Sequence, residues 1–174
     1  MPIYEFEGRT PEIGEGSFIH PEATVIGGVK IGKNCFIGPG ARLRGDWCNI
    51  EIGDGSNVQD NCIIHARPDF TVVLGPNSHV GHGSVLHGVI LHEHVLVGMN
   101  AVIQDFADIG DNCIIGSGCV IPPRMQVPAK KVVMGVPGKI IGDVTPEQEQ
   151  LWRFATGLYQ TLPKRYSGTS RRTK

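Results

Sequence analysis

Aliphatic residues recur along this chain at about every sixth position. The series begins Ile13, Ile19, Val25, Ile31, Ile37 and Leu43, resumes at Ile52 and runs on to Val133. Three departures interrupt it: three extra residues follow Leu43, four follow Ile64, and one is missing after Leu86. The residue after the aliphatic is often glycine. The fifth position is usually small, as at Ala23, Cys35, Ala41, Ser56, Cys62, Ser84, Ala101, Cys113 and Cys119. A period of six is neither helical nor a simple alternation. It suits a short strand followed by a sharp corner that tolerates little bulk. Three such units close a triangular coil, and successive coils stack as parallel strands about 4.8 Å apart. The pattern predicts an all-β fold over residues 13–138, a parallel β-helix of six to seven coils with aliphatic and small residues turned inward.

The flanks read differently. Residues 1–12 form an N-terminal segment ahead of the repeat, and 139–163 a linker and a C-terminal helix. Thr145-Pro146-Glu147-Gln148 has the form of a helix start, with Thr145 as N-cap and Gln148 completing a capping box. Leu151, Phe154, Ala155, Leu158 and Leu162 follow at helical spacing, which predicts an apolar face lying back along the prism. Pro163 is expected to end the helix. Residues 164–174, with Lys164, Arg165, Arg171, Arg172 and Lys174, are expected to be a flexible basic tail.

Composition narrows the partners. A formal charge of −1 at pH 7 argues against nucleic acid or an anionic membrane as a bulk electrostatic partner. No apolar run is long enough to span a bilayer, and the N-terminus lacks a secretory h-region. Five cysteines without an export signal point to reduced thiols in the cytoplasm. Four of them (Cys35, Cys62, Cys113 and Cys119) take the small inward position, where a thiol packs as a small hydrophobe.

Assigning hexads to three faces in rotation places the chemistry. On the third face, Arg44, His65 and His87 fall in one outward column on successive coils, brought into register by the insertions. On the second face Asp60 shares a column with His82 one coil later, and Gln59 precedes it. His20, His79, His92 and His94 have no aligned polar companion and are expected to be solvated. His65 and His87 can reach one ion, whereas His82 points elsewhere within one chain. Setting the second face of one copy against the third face of another brings His82 back, and repeating that contact closes a ring. A homotrimer with metal sites shared between subunits is therefore expected. Three imidazoles leave zinc an open position for water, whose pKa then drops toward about 7; iron or cobalt would also suit imidazole.

Arg44-Gly45-Asp46, Asn57-Val58-Gln59-Asp60-Asn61, His65 and Gly81-His82-Gly83-Ser84-Val85-Leu86-His87-Gly88 together resemble the γ-class carbonic anhydrase family, most of all its phenylacetate-degradation (PaaY) branch. The resemblance implies a left-handed β-helix and reversible hydration of carbon dioxide to bicarbonate by metal-bound hydroxide. It implies His65 and His87 as ligands from one subunit and His82 from its neighbour, with Gln59 orienting the hydroxide. Arg44 and Asp46 would pair across the subunit contact, Asp60 and Asn57 would support the ligands, and Tyr159 would line the pocket. Two enzymatic alternatives stay open: acyl-CoA hydrolysis at the same metal site, and acyl transfer of the kind many hexapeptide β-helices perform. A non-catalytic trimeric scaffold clasped by metal is a third.

Overall fold

The structure, a computed structural model, describes residues 3–169 and residue 173. It is a parallel β-solenoid of about seven turns with a helical C-terminal segment. The second face is a ladder of two-residue strands in parallel register: Phe18–Ile19, Phe36–Ile37, Asn57–Val58, His79–Val80, Leu96–Val97 and Ile114–Ile115. The first and third faces join into one sheet, because Thr24–Ile31 and Arg42–Ile52 each run unbroken around a corner. The three-residue insertion after Leu43 thus lengthens a strand instead of looping out. The longer insertion after Ile64 does leave the sheet, as a small turn closed by a bridge between Arg67 and Phe70.

The interior follows the hexad. Ile31, Ile37, Leu43, Ile64, Leu74, Leu86, Leu91, Ile103, Ile109, Ile115 and Ile121 are all buried, one per strand, around a continuous apolar axis. Glycine after the aliphatic is required where coils touch: a Cβ on Gly53 would lie 2.5 Å from the Pro76 backbone nitrogen. Cys35, Cys62, Cys113 and Cys119 are free and buried in the small inward positions. Burial pushes the Cys62 thiol up to about 11, so it stays protonated and inert. Past the last coil, Lys139–Asp143 pairs antiparallel with Lys131–Met134 and closes that edge of the sheet.

Helix α1, Pro146–Gln160, starts at Thr145 with the full capping box to Gln148. Its docked face, however, is not the expected one. Leu151, Phe154 and Leu158 are exposed, while Trp152 and Thr156 are buried against the second face. Trp152 stacks on His79 with ring centroids 4.4 Å apart, and Tyr159 meets the same ring edge-on at 4.8 Å. These ring-to-ring contacts with His79 set the rotation of the helix. Pro163 does not end the helical segment. The break falls at Thr161, and Pro163 sits buried in the first turn of α2, Leu162–Thr169, where proline needs no amide proton. Lys164 and Arg165 thus belong to a helix that packs Tyr166 on Phe18 and Phe36, correcting the expected flexible tail over that stretch. Arg171, Arg172 and Lys174 lie outside the described residues. His79 and His94 are buried beneath α1 rather than solvated.

Burial pushes His79 down to about 3 from its ordinary 6.5, with the nearby His82 and His94 adding to the effect. The unfolded chain therefore binds a proton that the folded chain refuses between those two values. Folding stability is expected to fall as pH drops below about 6.5, by up to about 1.4 kcal/mol per pH unit from this ring. His79→Phe should flatten that slope in urea denaturation curves measured from pH 7 to pH 4. Trp152→Ala is expected to lower stability by about 3 kcal/mol and to expose the C-terminal segment to limited proteolysis.

Candidate functional site: a column of carboxylate-held histidines

Three strands stack to build the site. Arg44 of Arg42–Ile52 lies over His65 of Ile63–His65, which lies over His87 of Val85–His87, all in parallel register. Outward side chains one coil apart are near neighbours, so the two imidazoles meet with ring centroids 5.0 Å apart. Nδ1 of His65 faces Nε2 of His87 at 3.1 Å.

The other ring nitrogens are held by carboxylates. Nε2 of His65 lies 3.0 Å from Asp46 Oδ1, and Nδ1 of His87 lies 2.5 Å from Asp105 Oδ1. Arginines donate to each acid in turn, Arg44 to Asp46 at 2.6 Å and Arg67 to Asp105 at 3.1 Å. Burial works against the charge on Asp46, but hydrogen bonds from Arg44 and His65 outweigh it and hold the carboxyl below its ordinary range. Burial lowers His65 and keeps the ring neutral. An ionised carboxylate only accepts, so each far nitrogen carries the proton. With both rings in the uncharged form, Nδ1 of His65 and Nε2 of His87 would be two lone pairs facing each other. Such a pair repels unless a proton or a cation sits against it, and carboxylate-backed imidazoles are the usual donor set for a transition-metal ion. The residues fit a metal.

His82 stands apart, on the second face. Its Nδ1 pairs with Asp60 Oδ2 at 2.6 Å, and its Nε2 is reached by the Tyr159 hydroxyl at 3.3 Å. Like the other two it has a carboxylate on one nitrogen, but its second nitrogen faces the Tyr159 hydroxyl. Among the described residues, no three His, Cys, Asp or Glu side chains converge within one chain to hold an ion. Asn57 and Gln59 are buried beside one another, the Gln59 amide nitrogen donating to Asn57 Oδ1 at 3.0 Å. Tyr159 reaches the site from α1, its phenol raised first by burial and then by Asp60.

One expectation needs amendment. Arg44 and Asp46 pair within one chain, because side chains two apart on an extended strand share a face. The sequence reading also missed Asp105, Arg67 and His79. Asp105 lies one residue beyond the histidine column on the next coil. An acid beside that column was the available signal. Arg67 comes from the inserted turn, whose path the repeat does not specify. His79 precedes an inward valine and was legible only as an outward position; what covers it depends on the helix.

Comparison with known proteins gives the context. Residues 10–45 and 88–123 match a family model described as bacterial transferase hexapeptide (six repeats), and residues 28–66 match the hexapeptide repeat of succinyl-transferase. The carnitine operon protein CaiE of Proteus sp. (strain LE138) is 39% identical over 165 residues, covering 95% of this chain and 84% of that protein. A crystal structure of a putative acetyltransferase from Bacillus cereus superposes with a TM-score of 0.94 at 30% identity, covering 95% of this chain and 96% of that one. A hexapeptide transferase family protein from Anaplasma phagocytophilum gives 0.91 at 30% identity, over 95% and 98% of the two chains. The chain belongs to the hexapeptide-repeat transferase family, in the company of the CaiE carnitine operon proteins.

Proposed function

We propose that three copies of this chain form a ring in which His65 and His87 of one subunit and His82 of the next hold a divalent metal ion, zinc first, with iron or cobalt also suited. The reading rests on one observation: Nδ1 of His65 and Nε2 of His87 converge at 3.1 Å while the far nitrogens of the two rings face Asp46 and Asp105. His82, held in the same way by Asp60, is a third donor of that kind, and His92, held by Asp108, is another. Apolar surface supports the assembly. The outward residues Ile63, Val85, Val102 and Val120 stack on the third face, and Leu151, Phe154 and Leu158 project from α1. Uncovered ladders of this kind mark contact surfaces. All five cysteines are unpaired, which supports a cytoplasmic setting, and among the described residues no helix is long and apolar enough to cross a membrane.

The reaction that this site suits best is hydration of carbon dioxide, a carbonic anhydrase activity. When bound, the metal would supply the positive charge that ionises water near neutral pH. The protein's part is orientation and charge. Asp46, Asp105 and Asp60 fix the three tautomers, Gln59 offers a buried amide beside Asn57, and Arg44 presents a half-exposed guanidinium suited to bicarbonate. Tyr159 guards His82 and must release it for ligation.

A second reading is acyl transfer. The family's transferase description and the putative acetyltransferase from Bacillus cereus favour it. There His82, held by Asp60 and open at Nε2 once Tyr159 moves, would be the general base.

Metal analysis separates the two. Purified protein is expected to carry about one metal per subunit and to hydrate carbon dioxide. His82→Ala should lose the metal and lower that activity about 100-fold or more. Asp105→Asn should weaken metal affinity about 10- to 100-fold, measured by competition with a chelator. A folded, metal-free protein that transfers acyl groups from coenzyme A would establish the second reading in place of the first.

A further inference from the structure

Two aromatic side chains beside the histidine column take no part in the packing of the coils. Trp47 is 63% exposed and Phe6 39%, and neither belongs to the apolar axis. Trp47 lies in the lengthened strand Arg42–Ile52, and Phe6 in a turn of the N-terminal segment. Phe6 and Arg9 exchange backbone hydrogen bonds of 3.1 and 3.0 Å across that turn. The Arg9 guanidinium donates to the Asp46 carbonyl, which ties the turn to the strand that carries Trp47. The two rings, with Glu7, Arg44 and Asp46, line a cavity of about 310 Å³. That is at the lower end of the range for small-molecule sites.

The charges of the lining are unequal. Arg44 Nη1 meets Asp46 Oδ2 at 2.6 Å, so those two offset each other. Glu7 has no cationic side chain paired with it among the described residues. It stands at the tip of the turn with φ at +49°, in the left-handed region that Asn or Asp occupies with less strain. A carboxylate is thus held beside two aromatic walls. The face of an aromatic ring is negative and attracts a cation, and its body takes apolar groups. A simple anion would meet Glu7 unfavourably, and a neutral apolar solute would gain nothing from it. An alkylated ammonium group joins positive charge to apolar surface and matches both features.

We propose that the cavity of Phe6, Glu7 and Trp47 binds an organic cation, an alkylated ammonium group whose methyls face the rings and whose charge faces Glu7. Asp46 lines the same cavity with the carboxyl that holds His65. A head group seated there lies beside the histidine column, and the rest of its molecule can extend toward that column. The proposal does not depend on a metal in the column.

The test is a titration of the intact protein with choline, read by tryptophan fluorescence. The chain has two tryptophans, and Trp152 is buried beneath α1, so a solute in the cavity reports through Trp47. Choline is expected to change the emission saturably in the millimolar range. The uncharged alcohol in which carbon replaces the choline nitrogen should bind about 10-fold more weakly. In saturation-transfer NMR on the choline methyls, Trp47→Ala should weaken binding about 10-fold, and Trp47→Phe should keep part of it. Glu7→Gln should weaken it about 3-fold. Equal binding of the uncharged alcohol would reduce the cavity to an apolar patch and overturn the proposal. Saturable binding of benzoate in place of choline would assign the cavity to Arg44 and anions, with the same result. An absent response to choline would overturn it too. If Trp47→Ala then also changed the oligomeric state, the cavity would belong to a second copy of this chain. None of these readouts involves bound metal or carbon dioxide, so failure of the metal-site reading leaves them unaffected.

Discussion

Each coil of the solenoid hydrogen-bonds to the next at one strand spacing, so residues at equivalent hexad positions are held one above another. That stacking governs the molecule. Inward positions repeat the same small volume, which is why isoleucine, leucine and valine alternate with alanine, serine and cysteine along a single axis. Outward positions acquire vertical neighbours that are far apart in sequence, and polar groups there are pressed into contact. His65 and His87, twenty-two residues apart in the chain, become adjacent rings only because the coil between them carries four additional residues.

The periodic part of this architecture could be read directly from the chain. Face assignment by hexad put Arg44, His65 and His87 in one column, and the strand register agrees. What escaped the repeat was whatever the repeat does not dictate. The insertion after Leu43 extends a strand around a corner, so Arg44 and Asp46 share a face and pair within one chain. The turn that carries Arg67 leaves the periodic path altogether. The helix was found by its cap but was rotated by about one residue, because Leu151, Phe154 and Leu158 outweigh Trp152 in hydrophobicity while Trp152 has the better partner in His79. Helical periodicity identifies an apolar stripe without saying which surface it meets. Here it reports a face turned outward.

The polar network follows one rule throughout. Every histidine of the site is given a carboxylate on one nitrogen, and arginines steady two of those carboxylates from behind. The effect is to decide where protons sit before any ligand arrives. His79 is the exception: buried beneath the helix without an acid beside it, it stays neutral. Helix α1 therefore supplies more than cover, since its Trp152 and Tyr159 determine the environment in which that ring exists.

The strand Lys139–Asp143 carries a different consequence. An open solenoid offers a row of unpaired backbone groups at each end, the geometry from which fibres grow by end-to-end addition. By doubling back in the opposite sense along Lys131–Met134, with Lys131 and Asp143 joined at the open end of that hairpin, the chain covers the last strand of the second face itself. Another copy meeting that rim would find a reversed, charge-bearing border that cannot continue the winding. On the second face, growth by strand addition at this end is thus forestalled by the protein's own sequence.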